Sequence, residues 1–379
     1  MPMHNGLLPR EGFKMDAILR LIRATALNPK LLLPLVLLAR FTKRGQDLAI
    51  LHPLAHSRLR KLLVLGALRL LSAYLSDRVL NNWTSDTYNW RREIVVITGG
   101  AGGIGGHVAR LLAEAGAAVV VLDIQPLTYP APPNVHYFPC DITSPKTLAA
   151  VAAQVRAAVG APTVLINNAG VVQGRPLLDA SEASVRFTFD VNTLAHYWTV
   201  REFLPDMVRR NHGMVVTVAS VAAWVTVPSM VDYAASKAAS HAFHEGLAAE
   251  LATTYGADRV RTVLVNQAYT KTPLFDGYHN DSPFLMPALE PETVAEAIVR
   301  QVLSGRSGQV IVPEMGNSLA SLAAMPHWYQ ARLRTKNVTI MEKFKGRQVV
   351  KDVDQFYEEK DKADGGKGVE ASGVLVGKD

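Results

Sequence analysis

The chain is poor in several things, and each shortage narrows what it does. A single cysteine, Cys140, rules out a disulfide within the chain, and the chemistry is expected in a reducing compartment. No Cys/His pattern has zinc-site spacing. His241 and His244 share a helical face, but a pair of this kind is usually solvated or packed, so no metal is expected. No apolar run reaches the roughly 20 residues of a bilayer-spanning helix. LLLPLVLLARF (31–41) and LLVLGALRLLSAYL (62–75) come nearest, and Pro34, Arg40 and Arg69 interrupt them. The first run starts late and no small-residue cleavage site follows it, which argues against a secretory signal. Nucleic acid is not expected as a partner, because the basic part of the chain is leucine-rich and carries no reader motif.

What is present divides into blocks. Hydrophobic residues make up 49% of the 379, ample for a large core. Residues 1–92 hold 15 Lys and Arg against 5 Asp and Glu, and the rest holds 25 against 28, so the net charge of +7 is concentrated at the front. Apolar runs flanked by arginine and lysine suit helices lying in a membrane interface, or a shallow hairpin. Residues 1–92 are therefore expected to be a basic, hydrophobic helical leader that associates with a membrane or lipid-droplet surface. An extra helical layer packed on the body is the plainer alternative.

From Glu93 the pattern changes. EIVVIT (93–98), AAVVVLD (117–123), NVHYF (134–138), PTVLIN (162–167), GMVVTVAS (213–220), VRTVLVN (260–266) and GQVIV (308–312) are short and mostly β-branched. Most are separated by alanine-rich or periodic segments of helical length. This predicts an α/β fold: a Rossmann-like, doubly wound parallel sheet flanked by helices, over 93–315, with the N-terminal helical hydrophobic extension before it. Residues 316–345 are expected to be a C-terminal helical extension. Residues 346–379, charged and glycine-rich, are expected to be a disordered tail.

TGGAGGIGG (98–106) joins the first strand to the helical run HVARLLAEAG, the context in which backbone N–H groups hold a pyrophosphate at a helix N-terminus. The second strand ends in Asp123, eighteen residues after Gly105. A carboxylate there would bond the ribose hydroxyls and repel a 2′-phosphate, which favours NAD over NADP. YAASK (233–237) sets a phenol and an ammonium at i and i+4, on one helical face. A nearby cation lowers a phenol's pKa, which suits general acid/base work.

Together these residues resemble the classical short-chain dehydrogenase/reductase family over about 93–315. Thr98, Gly99, Gly103, Ile104 and Gly105 match its glycine loop. Asp141 matches its adenine-contacting acid. NNAG (167–170) supplies Asn168, Ala169 and Gly170. Asn192, Ser220, Tyr233 and Lys237 match its catalytic tetrad. The resemblance implies that Ser220 orients the substrate oxygen and that Tyr233 exchanges the proton. Lys237 would lower the phenol's pKa and grip the nicotinamide ribose. Asn192 would position a water, and Thr272 would contact the nicotinamide carboxamide. The family usually has Pro-Gly where this chain has Gln267 and Ala268.

Trp224, Val225, Val227 and Met230 suggest an apolar pocket wall. With the leader, this resembles membrane-associated retinol, hydroxysteroid and long-chain-alcohol dehydrogenases. The implied function is hydride transfer between NAD and a lipophilic alcohol or ketone. The implied setting is a membrane, of endoplasmic reticulum or lipid droplet, on its cytosolic side, with pairing into a homodimer through outer-layer helices. Two other readings stand beside it: an NADPH-preferring carbonyl reductase of a biosynthetic pathway, and a membrane-surface scaffold with a relict dehydrogenase fold.

Overall fold

A computed structural model describes residues 3, 4, 6, 8–336 and 338–363. Seven parallel strands form one sheet in the order β3-β2-β1-β4-β5-β6-β7. They are β1 (Ile94–Thr98), β2 (Ala118–Asp123), β3 (Val135–Pro139), β4 (Val164–Asn167), β5 (Gly213–Val218), β6 (Val260–Gln267) and β7 (Gly308–Val312). Each expected strand is present within a residue or two of its boundaries, the weak NVHYF segment included. The order reverses between β1 and β4, and open α/β sheets bind ligands beyond the strand ends at such a switch point.

Alternation along each strand assigns side chains to two layers. Val95 and Ile97 face α5 (Gly103–Glu114) and α10 (Pro291–Leu303), whereas Val96 faces α6 (Pro145–Ala158), α8 (Ala195–Arg210) and α9 (Val231–Thr253). All three are fully buried. Covering both faces is what turns the sequence into near-continuous β-branched runs.

The leader forms α1 (Met15–Ala24), α2 (Pro29–Phe41), α3 (Lys43–Leu51) and α4 (Pro53–Leu80). Among the described residues no single helix is long and apolar enough to cross a membrane; α1 and α2 together reach that length and composition but bend by 41°. Pro34 lies inside α2 without ending it. α2 crosses α4 at Gly66, where a Cβ would come within 2.8 Å of the Leu27 carbonyl oxygen. The leader joins the body at two seams. At one, Asp16 accepts from the backbone N–H groups of Glu314 and Met315, and Phe13 rests on Phe284. At the other, the buried Arg261 guanidinium donates to the carbonyls of Asn81 and Thr84.

Beyond β7 lie α11 (Asn317–Ala320), α12 (His327–Lys336) and α13 (Val353–Ala363). α13 lies within the range 346–379 that the sequence assigns to a tail. Val353, Phe356 and Tyr357 place an apolar stripe against Val171, Phe187 and Val191, on the body near α7 (Glu182–Phe189). The charges around that stripe disguise it in the sequence. Residues 364–379, the rest of the expected tail, lie outside the described residues.

Candidate active site

A cavity of about 320 Å³ opens at the C-terminal ends of the strands. The glycine loop forms one end. A Cβ on Gly105 would sit 2.3 Å from the Gly99 carbonyl oxygen, so only glycine lets α5 approach β1 this closely. Gly103 has φ +54°, and a Cβ there would meet only Thr272 Cγ2 within 4 Å, at 3.7 Å. Asn168 pins this loop: its Nδ2 donates to the carbonyls of Thr98 and Gly99, both at 3.0 Å. Thr98 Oγ1 in turn accepts from the N–H groups of Asn168 and Ala169 at 3.1 Å. The cavity is thus lined by bare backbone at a helix N-terminus, which fits a dinucleotide pyrophosphate.

The two acids lie along the same wall. Asp123 Oδ2 accepts from Ala101 N–H and Oδ1 from Gln125 N–H, each at 2.9 Å. Both oxygens keep further acceptor capacity toward a ribose. Asp141 Oδ1 accepts from the N–H and hydroxyl of Thr143 at 2.9 and 2.8 Å.

At the other end Ser220, Tyr233 and Lys237 line the cavity together. Ser220 follows β5 and caps a short turn, accepting from Ala222 N–H at 3.1 Å and donating to the Gln267 carbonyl at 3.2 Å. Tyr233 stands in the first turn of α9 and Lys237 one turn later, with Nζ 5.8 Å from the phenol ring centre. Lys237 Nζ donates to the Val218 carbonyl at 2.9 Å. Burial pushes the Tyr233 phenol up to about 12, opposed by a hydrogen bond with Ser220. Burial also pulls the Lys237 ammonium down to about 8. Desolvation of the phenol, opposed by Ser220, sets the direction here, and the lowering expected from Lys237 does not figure in it.

Asn192 sits on a π-helical turn, Asp190–Leu194, between α7 and α8, and is fully buried. Its amide accepts from Val171 N–H at 2.8 Å and donates to the Val171 carbonyl and to Ser236 Oγ, both at 2.9 Å. The side chain is a brace between the segment after β4 and the helix bearing Tyr233, and so it does not reach into the cavity. Widened turns of this kind recur at functional sites.

Gln267 and Ala268 keep the sheet going: Ala268 N–H donates to the Val312 carbonyl at 2.8 Å, and Gln267 pairs with Val312. The departure from Pro-Gly leaves the Gln267 Oε1 buried without a hydrogen-bond partner at the cavity. Val225, Val227 and Met230 line the cavity as expected, whereas Trp224 packs on His241 instead, at 5.8 Å. Sequence reading did not single out Tyr269, Arg347 or Phe356. Tyr269 and Tyr278 stack at 4.1 Å beside Phe275, and Arg347 and Phe356 close the wall from the C-terminal segment. The aromatic residues of the 269–278 loop were a signal within reach; a contact arriving from 70 residues downstream was not.

Fold and site together define a dinucleotide-dependent oxidoreductase of the doubly wound type. The family described as short chain dehydrogenase matches residues 93–282, half of the chain, and the protein belongs to that family. Dehydrogenase RED2 of Cochliobolus heterostrophus is 47% identical over 204 residues, covering 52% of this chain and 75% of that protein. Human epidermal retinol dehydrogenase 2 is 35% identical, covering 56% and 71%. Estradiol 17-beta-dehydrogenase 11 of Pongo abelii is 35% identical, covering 64% and 83%. Among solved structures, a short chain dehydrogenase from Burkholderia cenocepacia in complex with NADP superposes with a TM-score of 0.57 at 28% identity, covering 65% of this chain and all of that one. The family's cofactor is NAD or NADP.

Proposed function

We propose that the protein transfers a hydride between NAD and a lipophilic alcohol or ketone, of retinoid, steroid or long-chain-alcohol type, at a membrane surface. The observation that carries this reading is one apolar cavity with the glycine loop at one end and Ser220, Tyr233 and Lys237 at the other. The dinucleotide, when bound, supplies the hydride acceptor or donor. Gly99, Gly103, Ile104 and Gly105 would hold its pyrophosphate, Asp123 and Asp141 its adenosine, and Asn168, Ala169, Gly170 and Thr272 the remainder.

Tyr233, buried and protonated at neutral pH, gives its phenolic proton to a carbonyl oxygen in reduction; in oxidation it would take the alcohol's proton only as the phenolate, after its own proton has left to solvent. Ser220 hydrogen-bonds the same oxygen and the phenol, fixing the line of transfer. Lys237 places a cation beside the phenol and favours its anion when the proton has left. Asn192 holds the Tyr233 helix in register with the floor of the cavity. NAD preference is supported by the Asp123 carboxylate on the cavity wall. A lipophilic substrate is supported by Val225, Val227 and Met230, and by the names of the retinol and estradiol dehydrogenases to which the chain is similar.

The exposed leucines of residues 1–92 support attachment to endoplasmic reticulum or lipid droplet from the cytosolic side. Pairing of two copies through the outer-layer helices belongs to the same reading. NADPH preference is a second reading, favoured by one observation: Arg347 stands on the same wall as Asp123.

NADH or NADPH formation by the purified full chain in detergent tests this, with retinol, steroid and long-chain alcohols as substrates. Turnover with NAD is expected, reduced at least a hundredfold in Tyr233→Phe while nucleotide binding persists. Undiminished turnover in Tyr233→Phe, or no turnover on any of these alcohols by protein that binds NADH, overturns the reading.

A further inference from the structure

The C-terminal segment crosses the mouth of the dinucleotide cleft as a strap fixed at both ends. At the 273–276 turn, Lys345 N–H donates to the Asp276 carbonyl at 2.8 Å and Arg347 N–H to the Pro273 carbonyl at 2.7 Å. Gln348 Nε2 then donates to the Val172 carbonyl at 3.0 Å. Beyond it α13 docks beside Asp141. Phe356 meets Phe187 edge-on at 5.3 Å, and the Tyr357 hydroxyl donates to Asp190 at 2.6 Å. Lys360 Nζ donates to the Thr143 hydroxyl at 2.8 Å and to its carbonyl at 3.0 Å.

Two strap side chains line the cavity itself, Arg347 and Phe356. Lys237 and Arg347 are the cations among the cavity's lining residues, and Lys237 belongs to the Tyr233 end. Arg347 is tied to the acidic wall: its guanidinium donates to Gln125 Oε1 at 2.8 Å, and the Gln125 N–H is bonded to Asp123. A fork of N–H donors at this position matches a phosphate oxygen. Phe356 presents an aromatic surface on the Asp141 side, where a planar base would lie.

We propose that Arg347 and Phe356 are dinucleotide-contacting residues supplied by this strap: Arg347 binds a phosphate of the dinucleotide, Phe356 covers its adenine, and docking of the strap and binding of the nucleotide stabilise one another. The inference rests on Asp123 and Asp141 marking the adenosine end. The family match stops at residue 282, so the strap lies outside the part of the chain that the match covers. Coupling is reciprocal: a nucleotide that touches the strap must also hold it down.

The test measures NADH and NADPH dissociation constants by fluorescence, and hydrogen exchange of 343–360 with and without NAD. It uses the full chain and the variants Arg347→Gln, Arg347→Lys and Phe356→Ala. Arg347→Gln is expected to weaken binding about tenfold, with Arg347→Lys recovering most of it. Phe356→Ala is expected to weaken both nucleotides several-fold, and NAD to slow exchange across 343–360. Equal losses of NADH and NADPH in Arg347→Gln place the contact at the pyrophosphate, and a loss of NADPH alone places it at the 2′-phosphate. Either result supports the proposal. Unchanged affinity in a variant removes that residue from the site, and exchange that ignores NAD overturns the coupling. Wild-type protein that binds neither nucleotide overturns instead the functional reading beneath it.

Discussion

The central sheet and the leader are built from the same kind of residue and come to opposite ends. Val95, Val96 and Ile97 in β1 are fully buried, whereas in the leader Leu35 is 51% exposed, Phe41 72% and Ile50 77%. The strands are covered on both faces by helices of their own domain. The leader helices have mainly one another and two narrow seams on the body. Apolar content therefore does not decide burial; the availability of a second layer does. The proposed attachment to an apolar, anionic surface rests on this exposed leucine, on a block with three basic residues for each acidic one.

Placing the same charge in both regions breaks the comparison most sharply. Val96→Asp is expected to leave no folded protein, since an unpaired buried carboxylate costs more than the roughly 5–15 kcal/mol that holds such a domain together can spare. Leu35→Glu, Leu38→Glu, Leu65→Glu and Leu68→Glu combined should leave the thermal midpoint within a few degrees and reduce flotation with anionic vesicles at least tenfold. Flotation that survives all four changes removes these leucines as the membrane contact, and a wild-type chain that does not float removes the membrane from the reading.

A smaller effect is expected at the seam. Arg261→Met strips donors from the carbonyls of Asn81 and Thr84 and should cost about 2–4 kcal/mol in a urea titration. If the change costs under about 0.5 kcal/mol, the leader is not held to the body through this contact.

The smallest effect at neutral pH belongs to the buried histidines. Burial lowers His196 to about 3 and His244 to about 4, so both are neutral in the folded protein and charge on unfolding in acid. Their contribution is complete above about pH 6.5 and is lost as pH falls toward 4, because the unfolded chain then binds the extra protons. His196→Phe should change stability little at pH 7 and flatten the slope between pH 6 and 4 by about 1.4 kcal/mol per unit. An unchanged slope would mean that His196 already binds its proton in the fold.

The five inner strands were legible because buried parallel strands write their burial into a run of β-branched residues, whereas the edge strands β3 and β7 are only partly buried and β3 carries a weaker signal. Tyr233 and Lys237 were legible as a pair because i and i+4 share one helical face, and Ser220 was legible through the resemblance to the family. The hydrogen bonds of the Asn192 side chain were not legible. That it braces Val171 to Ser236 depends on two segments far apart in the chain. The pKa directions at Tyr233 and Lys237 were hidden for a related reason: spacing shows who stands beside whom, and desolvation depends on everything else packed around them. The strap was missed altogether, since Val353, Phe356 and Tyr357 are few apolar residues among charges and bury themselves only against a stripe provided by α7 and the segment after β4.

The sequence by itself determined the parallel sheet, the glycine loop at a helix N-terminus and the Tyr–Lys pair on one helical face, because each follows from periodicity or backbone freedom within a few residues. Only the tertiary structure decided which apolar residues lack a second layer, how burial sets the phenol and ammonium, and that Arg347 and Phe356 reach the cleft. Those outcomes depend on contacts between distant segments, which no local spacing records.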